Sequence, residues 1–243
     1  NPNTNPSLFN EAKIADGMES EIGDIRDLNQ LTESVCKFNP DVLIHMAAQP
    51  LVRKSYEDPI ETFSTNIMGT VNLLDVIRHM DGVKAVVNVT TDKCYENKEW
   101  LWAYRENEPM GGHDPYSSSK ACSELVTRAF TKSYYSSSTT ALASARAGNV
   151  VGGGDWSNDR LIPDILRSFE LNKSVIVRNP KATRPWQYVL EPLSGYLLLA
   201  QKLYDDHEKY SEGWNFGPNE KDIRPVSWIL DKMISYWPNA SWS

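Results

Sequence analysis

Apolar positions in this chain recur in two rhythms. Short unbroken runs lie at 41–46 (Asp41-Val42-Leu43-Ile44-His45-Met46), at 84–91 around Val86-Val87-Asn88-Val89, and at 140–147. Such runs predict strands buried on both faces of a parallel sheet. Between them the spacing becomes three and four residues, which predicts helices. Leu28, Leu31, Val35 and Phe38 mark one over 27–38, and Phe63, Ile67, Val71, Leu74 and Ile77 mark a long one over 55–80. Pro59 stands near the start of the second, where its missing N–H costs nothing, and Gly82 ends it. A third helix is expected over 116–135. Strand, helix, strand, helix, strand is the order of an α/β, doubly wound parallel sheet, Rossmann-like, whose ligands gather at the carboxyl ends of the strands.

The flanks read less regularly. Residues 1–9, rich in Asn and Pro, predict a loop, and 18–22 a short strand. Beyond 147 the pattern predicts a helix starting near 159–165, a strand at 175–177, an apolar helix over 189–204, and a helix over 225–237. That last helix would carry Trp228, Ile229, Met233 and Trp237 on one side. The connection from 96 to 113 is long and holds Trp100, Trp102 and Tyr104. Loops of that length are usually functional or disordered.

With 243 residues the chain can build one large core, or a core with a small lobe. The expected division is a dinucleotide-binding Rossmann-like domain over 1–150 and a mostly substrate-binding lobe over 151–243. A sheet of this type normally opens with a strand and a glycine-rich turn, and no G-x-x-G-x-x-G precedes Gly23. The expectation is therefore a chain truncated before its first strand and incomplete after its last helix. A net charge of −7 argues against broad nucleic-acid binding, and no apolar run is long enough to span a membrane. Cys36, Cys94 and Cys122 have no metal-type spacing and suggest reduced thiols in a cytoplasmic protein. His45, His79, His113 and His207 are scattered, and no metal site is expected.

Candidate chemistry concentrates between Val86 and Lys120. Tyr116 and Lys120 are four apart, so on a helix they share a face about one turn apart. An ammonium beside a phenol favours the phenolate, and tyrosine can then act as a base well below its usual ~10. Thr91, at the end of a buried strand, offers a second hydroxyl to the same reacting oxygen. Y-x-x-x-K alone occurs by chance in many helices. Thr90-Thr91-Asp92-Lys93 upstream makes it far more specific.

Together these motifs resemble the extended short-chain dehydrogenase/reductase family, and within it the nucleotide-sugar 4,6-dehydratases, over about 23–237. The resemblance implies NAD as cofactor, a nucleotide-sugar substrate and a homo-oligomer joined through the helices at 55–80 and 116–135. It implies Thr91, Asp92, Lys93, Tyr116 and Lys120 as catalytic residues. Asp24 and Ile25, from G-D-x-x-D, would lie by the cofactor. So would Ala47, Ala48 and Gln49, with Asn66 of N-x-x-G-T, Tyr116 and Lys120. Asp24 can equally be a helix N-cap, and Asn66 a buried structural amide.

On the substrate side, Arg146-Ala147-Gly148-Asn149-Val150-Val151-Gly152 resembles the family's R-x-x-N-V-x-G. The resemblance implies substrate contacts from Asn149, Arg160, Leu161, Arg184 and Tyr188. It also places 213–217 as a small strand of the substrate lobe. The usual dehydratase pattern is Asp-Glu after the threonine, and Asp92-Lys93 instead matches the CDP-glucose branch. Asp92 would protonate the leaving hydroxyl and Lys93 would take the C5 proton. Cys94 reads as a bystander. An epimerase or another nucleotide-sugar dehydratase, and a non-catalytic nucleotide-sugar-binding remnant, remain alternatives.

Overall fold

The computed structural model describes residues 4–243. The chain forms two units. One comprises Glu21–Gly148 and Leu190–Phe216, and the other comprises the first twenty residues, as far as they are described, with Asn149–Val189 and Gly217–Ser243.

The first unit is built on four parallel strands, β1 (Val42–His45), β2 (Ala85–Val89), β3 (Ala141–Ala147) and β4 (Gly213–Phe216), in that spatial order. Three of them are the apolar runs. The fourth corrects an expectation: residues 213–216 do not belong to a substrate lobe but pair with β3, Ser144 lying opposite Gly213. Trp214 and Phe216 explain the placement, because both pack on the alanine face of the sheet.

Side chains alternate across β2 and β3, and the two faces differ. Ala85, Val87, Ala141, Ala143, Ala145 and Ala147 turn towards helix Leu190–Asp205, where Tyr196, Leu199, Ala200 and Leu203 meet them. Small residues let this helix approach closely, and a Cβ built at Gly195 would overlap the Phe216 ring. Val86 and Leu142 face the other way, against Val35 of α1 (Leu28–Phe38), Leu73, Leu74, Val76 and Ile77 of α2 (Gly69–Ile77), and Tyr135. Helices thus cover both faces of a parallel sheet, the doubly wound α/β arrangement that the pattern predicts.

Capping sets where the helices begin. Asp27 accepts from the N–H groups of Asn29 and Gln30, both at 3.1 Å, and α1 ends at Asn39 with φ 41°. Asp114 does the same for α3 (Pro115–Phe130) through Ser117 N–H at 2.9 Å. The long helix expected over 55–80 is in fact broken. Proline disfavours helical backbone in the residue before it, so Asp58 leaves the helix (φ −134°, ψ 79°) and caps Pro59–Phe63 instead. A π turn, Ser64–Met68, then precedes α2. Gly69 opens α2 where a Cβ would come to 2.5 Å from Ile25 Cγ2.

Three further expectations change. Residues 18–22 form no strand; Met18 and Ile22 are exposed, and no described strand lies alongside them. Within 1–9, residues 1–3 lie outside the described part, and the segment ends in a helical turn, Leu8–Glu11, capped by Ser7. The strand at 175–177 reduces to a single bridge between Val175 and Trp242.

The second unit has its own core. Ile165 and Phe169 of helix Leu161–Glu170 pack with Val175, and with Val226 and Leu230 of helix Val226–Ser235. Trp237 tilts on Phe169 at 5.8 Å. Trp228 is exposed, and the Arg224 guanidinium lies over its ring. Among the described residues, no helix is long and apolar enough to cross a membrane.

Leu203 is fully buried against the alanine face. Leu203→Ala leaves a cavity there and is expected to cost about 2–5 kcal/mol, read as a lower midpoint in urea unfolding.

Candidate active site

Towards their carboxyl ends, β2 and β3 change character on the side that faces α3. Val86 and Leu142 give way to Asn88, Thr90, Ser144 and Arg146, all buried. These polar groups need partners, and α3 supplies them. Asn88 Nδ2 donates to Ser123 Oγ at 3.0 Å and to Thr127 Oγ1 at 2.7 Å. Glu124 accepts from Thr90 Oγ1 on one oxygen, and on the other from Ser144 Oγ at 2.6 Å and Arg146 Nη2 at 2.7 Å. The Glu124 and Arg146 side chains are only 4% and 6% exposed. Arg146 Nη1 also donates to Tyr95 Oη at 2.7 Å and to the Glu106 carbonyl at 2.9 Å. Burial pushes the Tyr95 phenol up, so it remains a neutral hydroxyl and donates to Asn215 Oδ1 at 2.7 Å.

The candidate catalytic residues sit on this frame. Thr91 is buried just beyond β2 and caps a short 3₁₀ turn, Asp92–Cys94. Its hydroxyl donates to Asp92 Oδ1 at 3.1 Å and accepts from Lys93 N–H at 3.3 Å. A Cβ built at Gly148, just past β3, would overlap the Asp92 carboxylate. Asp92 is half-buried and Lys93 exposed. Burial pushes the Cys94 thiol up, which fits a bystander.

Tyr116 is half-buried in the first turn of α3, and α3 packs on the 92–94 turn. Lys120, one turn further on, is buried and donates to the Val89 carbonyl at 3.1 Å. Burial pulls it down to about 8, against an opposing pull from Glu124. His45 is pulled down to about 3, by burial and then by the Lys120 charge. It stays neutral and shares a hydrogen bond with Thr70 at 3.2 Å.

Asn66, in the π turn, joins β1 to α3. Its Oδ1 accepts from Gln49 N–H at 2.8 Å, and its Nδ2 donates to the Gln49 carbonyl at 3.1 Å and to Ser119 Oγ at 2.8 Å. Ser119 directly precedes Lys120. The Gln49 side chain shapes its own turn through Leu51 and Thr62. Ala47 is exposed and Ala48 half-buried beyond β1. Asp24 caps no helix, because Asp27 takes that place. Instead it accepts from the Arg26 backbone N–H at 2.9 Å and from its guanidinium at 2.5 Å, bonds that hold its carboxyl down at about 2. Ile25 packs on Gly69, and its carbonyl accepts from Asn72.

Asn149, Arg160, Leu161, Arg184 and Tyr188 belong to the second unit. Asn149 has φ 50°, and its carbonyl accepts from Gln187 N–H at 3.3 Å. Leu161 opens its helix and packs on that unit's core, and Arg160 precedes it, exposed. Arg184 and Tyr188 are exposed, Arg184 lying opposite Arg224 across an antiparallel pair.

The donor set of the first unit fits a nicotinamide dinucleotide. An ionised carboxylate at Asp24 can accept from a base or sugar, and the alanines after β1 leave room for a backbone approach. The Lys120 ammonium has three N–H donors, one of them directed to Val89. The pattern did not reveal Glu124, Tyr95, Ser119 or Gly148. The only local signal was the four-residue step from Lys120 to Glu124.

Comparison with known proteins fits this arrangement. The family model described as GDP-mannose 4,6 dehydratase matches residues 5–214. A CDP-glucose 4,6-dehydratase of Salmonella typhimurium strain LT2 is 60% identical over 245 residues, covering 98% of this chain and 68% of that protein. Among solved structures, a UDP-glucuronic acid 4-epimerase from Bacillus cereus superposes with TM-score 0.81 at 20% identity, covering 97% of this chain and 71% of that one. A dTDP-glucose 4,6-dehydratase from Streptomyces venezuelae, with NAD bound, gives 0.75 at 23%, covering 91% and 65%. The two structures show a shared fold. The chain thus spans 65–71% of the length of these relatives.

Lys120 makes stability depend on pH in a defined window. Its folded value of about 8 lies below the ordinary ~10.4. Between the two, the unfolded chain holds more protons than the folded one, so stability rises with pH across that window; below about 8 the full cost of the buried charge is present. Lys120→Met is expected to be more stable than the parent below about pH 8. The gap should narrow as pH rises towards ~10.4, as read from paired unfolding curves.

Proposed function

This chain belongs to the GDP-mannose 4,6-dehydratase family, and on that footing we propose that it converts CDP-glucose to CDP-4-keto-6-deoxyglucose, with NAD as a bound hydride carrier. The observation that carries the reading is Thr91-Asp92-Lys93 at the carboxyl end of β2, in one unit with Tyr116 and Lys120 on α3. A 60% identical relative that bears this activity in its name supports it.

NAD, when bound, supplies a hydride acceptor for C4 and then a donor for C6. The rest falls to the chain's own residues. Tyr116 takes the C4 hydroxyl proton, the Lys120 ammonium stabilises the phenolate, and the Thr91 hydroxyl bonds the same oxygen. The resulting 4-keto group makes the C5 proton acidic. Lys93 takes it as the base while Asp92, as the acid, gives a proton to the C6 hydroxyl, which leaves as water. Lys93 then returns a proton to C5 when C6 is reduced. Tyr116 gives its proton up to solvent and Asp92 takes one back, so the sum is loss of one water with no net change in the cofactor.

Asp24, Ile25, Ala47, Ala48, Gln49 and Asn66 are assigned to the cofactor side. Asn149, Arg160, Leu161, Arg184 and Tyr188 are assigned to the sugar nucleotide, where an arginine's planar fork suits a pyrophosphate. We extend the reading to a cytoplasmic homo-oligomer. Three free cysteines support the setting, and exposed Ile60, Met68 and Leu125 on the helices of 59–77 and 115–130 support the contact.

Incubation with CDP-glucose carrying deuterium at C4 is expected to yield a product lighter by one water, with the label at C6, as read by mass spectrometry. Tyr116→Phe should cut turnover by about 10²–10⁴-fold with no reduced nicotinamide formed. Lys93→Ala should cut it similarly while reduced nicotinamide accumulates. An unchanged mass despite bound NAD would sink dehydration of this substrate and favour an epimerase or another sugar nucleotide.

A further inference from the structure

We propose that the end of β3, from Arg146 to Gly148, positions the Asp92–Cys94 turn, and thereby governs elimination of water without governing oxidation at C4. The inference rests on the reading above for its chemical consequence, and on geometry alone for the positioning.

Two residues of this strand end, Gly148 and Arg146, act on the two ends of the turn. At its start, Gly148 leaves the space that the Asp92 carboxylate fills, since a Cβ there would overlap both carboxylate oxygens and their carbon. Backbone conformation does not demand glycine at this position, because its φ lies outside the left-handed region. Space for the carboxylate is what any larger residue would take away. Just past the turn's far end, Tyr95 is buried, and its hydroxyl is fixed from two sides. It accepts from Arg146 Nη1 at 2.7 Å and donates to Asn215 Oδ1 at 2.7 Å. Its ring stacks on Tyr104 at 5.2 Å. Arg146 is in turn immobilised by Glu124, in an ion pair almost wholly out of water.

A separate set of bonds holds two of the oxidation residues, Tyr116 and Lys120; the third, Thr91, is buried at the end of β2 and bonds the turn itself. Lys120 is fixed by Val89, and the first turn of α3 by Asn66 through Ser119. Ser119 Oγ also donates to the Tyr116 carbonyl at 2.7 Å. Loosening the β3 end should therefore move Asp92 and Lys93 relative to a substrate still correctly placed against Tyr116. Gly148 and Tyr95 are positioning residues in this sense.

Two variants test it, Gly148→Ala and Tyr95→Phe, the second removing a single oxygen. The first measurement is amide hydrogen exchange in the protein without substrate. Residues 92–95 are expected to exchange about tenfold faster in each variant, the scale of one lost hydrogen bond, while 115–130 keep their parent rates. The second measurement follows nicotinamide absorbance after CDP-glucose is added. Reduced cofactor should build up while product formation falls about 10–100-fold and KM stays put. Unchanged exchange at 92–95, or an equal rise across 115–130, would overturn the positioning role. So would oxidation and elimination falling together. If the parent protein forms no 4-keto-6-deoxy sugar, the functional reading fails, and the exchange result decides the positioning by itself.

Discussion

A carboxylate and a guanidinium, each almost wholly removed from water, sit between the sheet and α3. Isolated, either charge would be intolerable there, and each is kept because both Glu124 oxygens and both terminal nitrogens of Arg146 are bonded. Glu124 gathers Thr90 from β2 with Ser144 and Arg146 from β3, so one helix residue fixes two strand ends in register. Arg146 passes the constraint outward to Tyr95, to the Glu106 carbonyl, and through Tyr95 to Asn215 on β4. A buried pair of this kind is weak evidence for stability and better evidence for a single arrangement, since a partly bonded network is worse than none.

The sheet therefore has two unlike faces, and the division of labour follows from them. The alanine face is dry, tight and chemically silent; it buries helix Leu190–Asp205 and anchors β4. The opposite face begins apolar at Val86 and Leu142 and becomes polar towards the carboxyl ends. Parallel strands deliver their ends to one edge, so the polar steps at Asn88, Thr90, Ser144 and Arg146 arrive together beneath α3. Lys120 enters that edge from the helix. Its charge is costly there, and the same cost makes its proton comparatively labile.

What could be read from the chain was what is local. Apolar runs revealed β1, β2 and β3, and β2 and β3, buried on both faces, need no alternation. Thr91-Asp92-Lys93 and Tyr116 with Lys120 are short motifs whose members are brought together by one turn or one helical step. Residues 213–216 were misplaced because four residues carry no statement of which sheet they join; that is decided by Trp214 and Phe216 finding the alanine face. The expected strand at 18–22 failed for the converse reason, since no described strand lies alongside it. Gly148 with Asp92, and Arg146 with Tyr95, are more than fifty residues apart. Nothing in the pattern at either end announces the other.

The π turn at Ser64–Met68 has a consequence for how this chain tolerates change in length. A π turn holds one residue more than the α-helical path it replaces, and here that extra residue lets Asn66 face Gln49 and Ser119 together. Removing any single residue between 64 and 68 other than Asn66 would relax the turn to an ordinary helix between the same flanks and re-aim the side chains of the turn itself. Every remaining side chain would keep its chemistry, yet the amide that joins β1 to α3 would point elsewhere. At this place the count of residues is as strict a requirement as their identity.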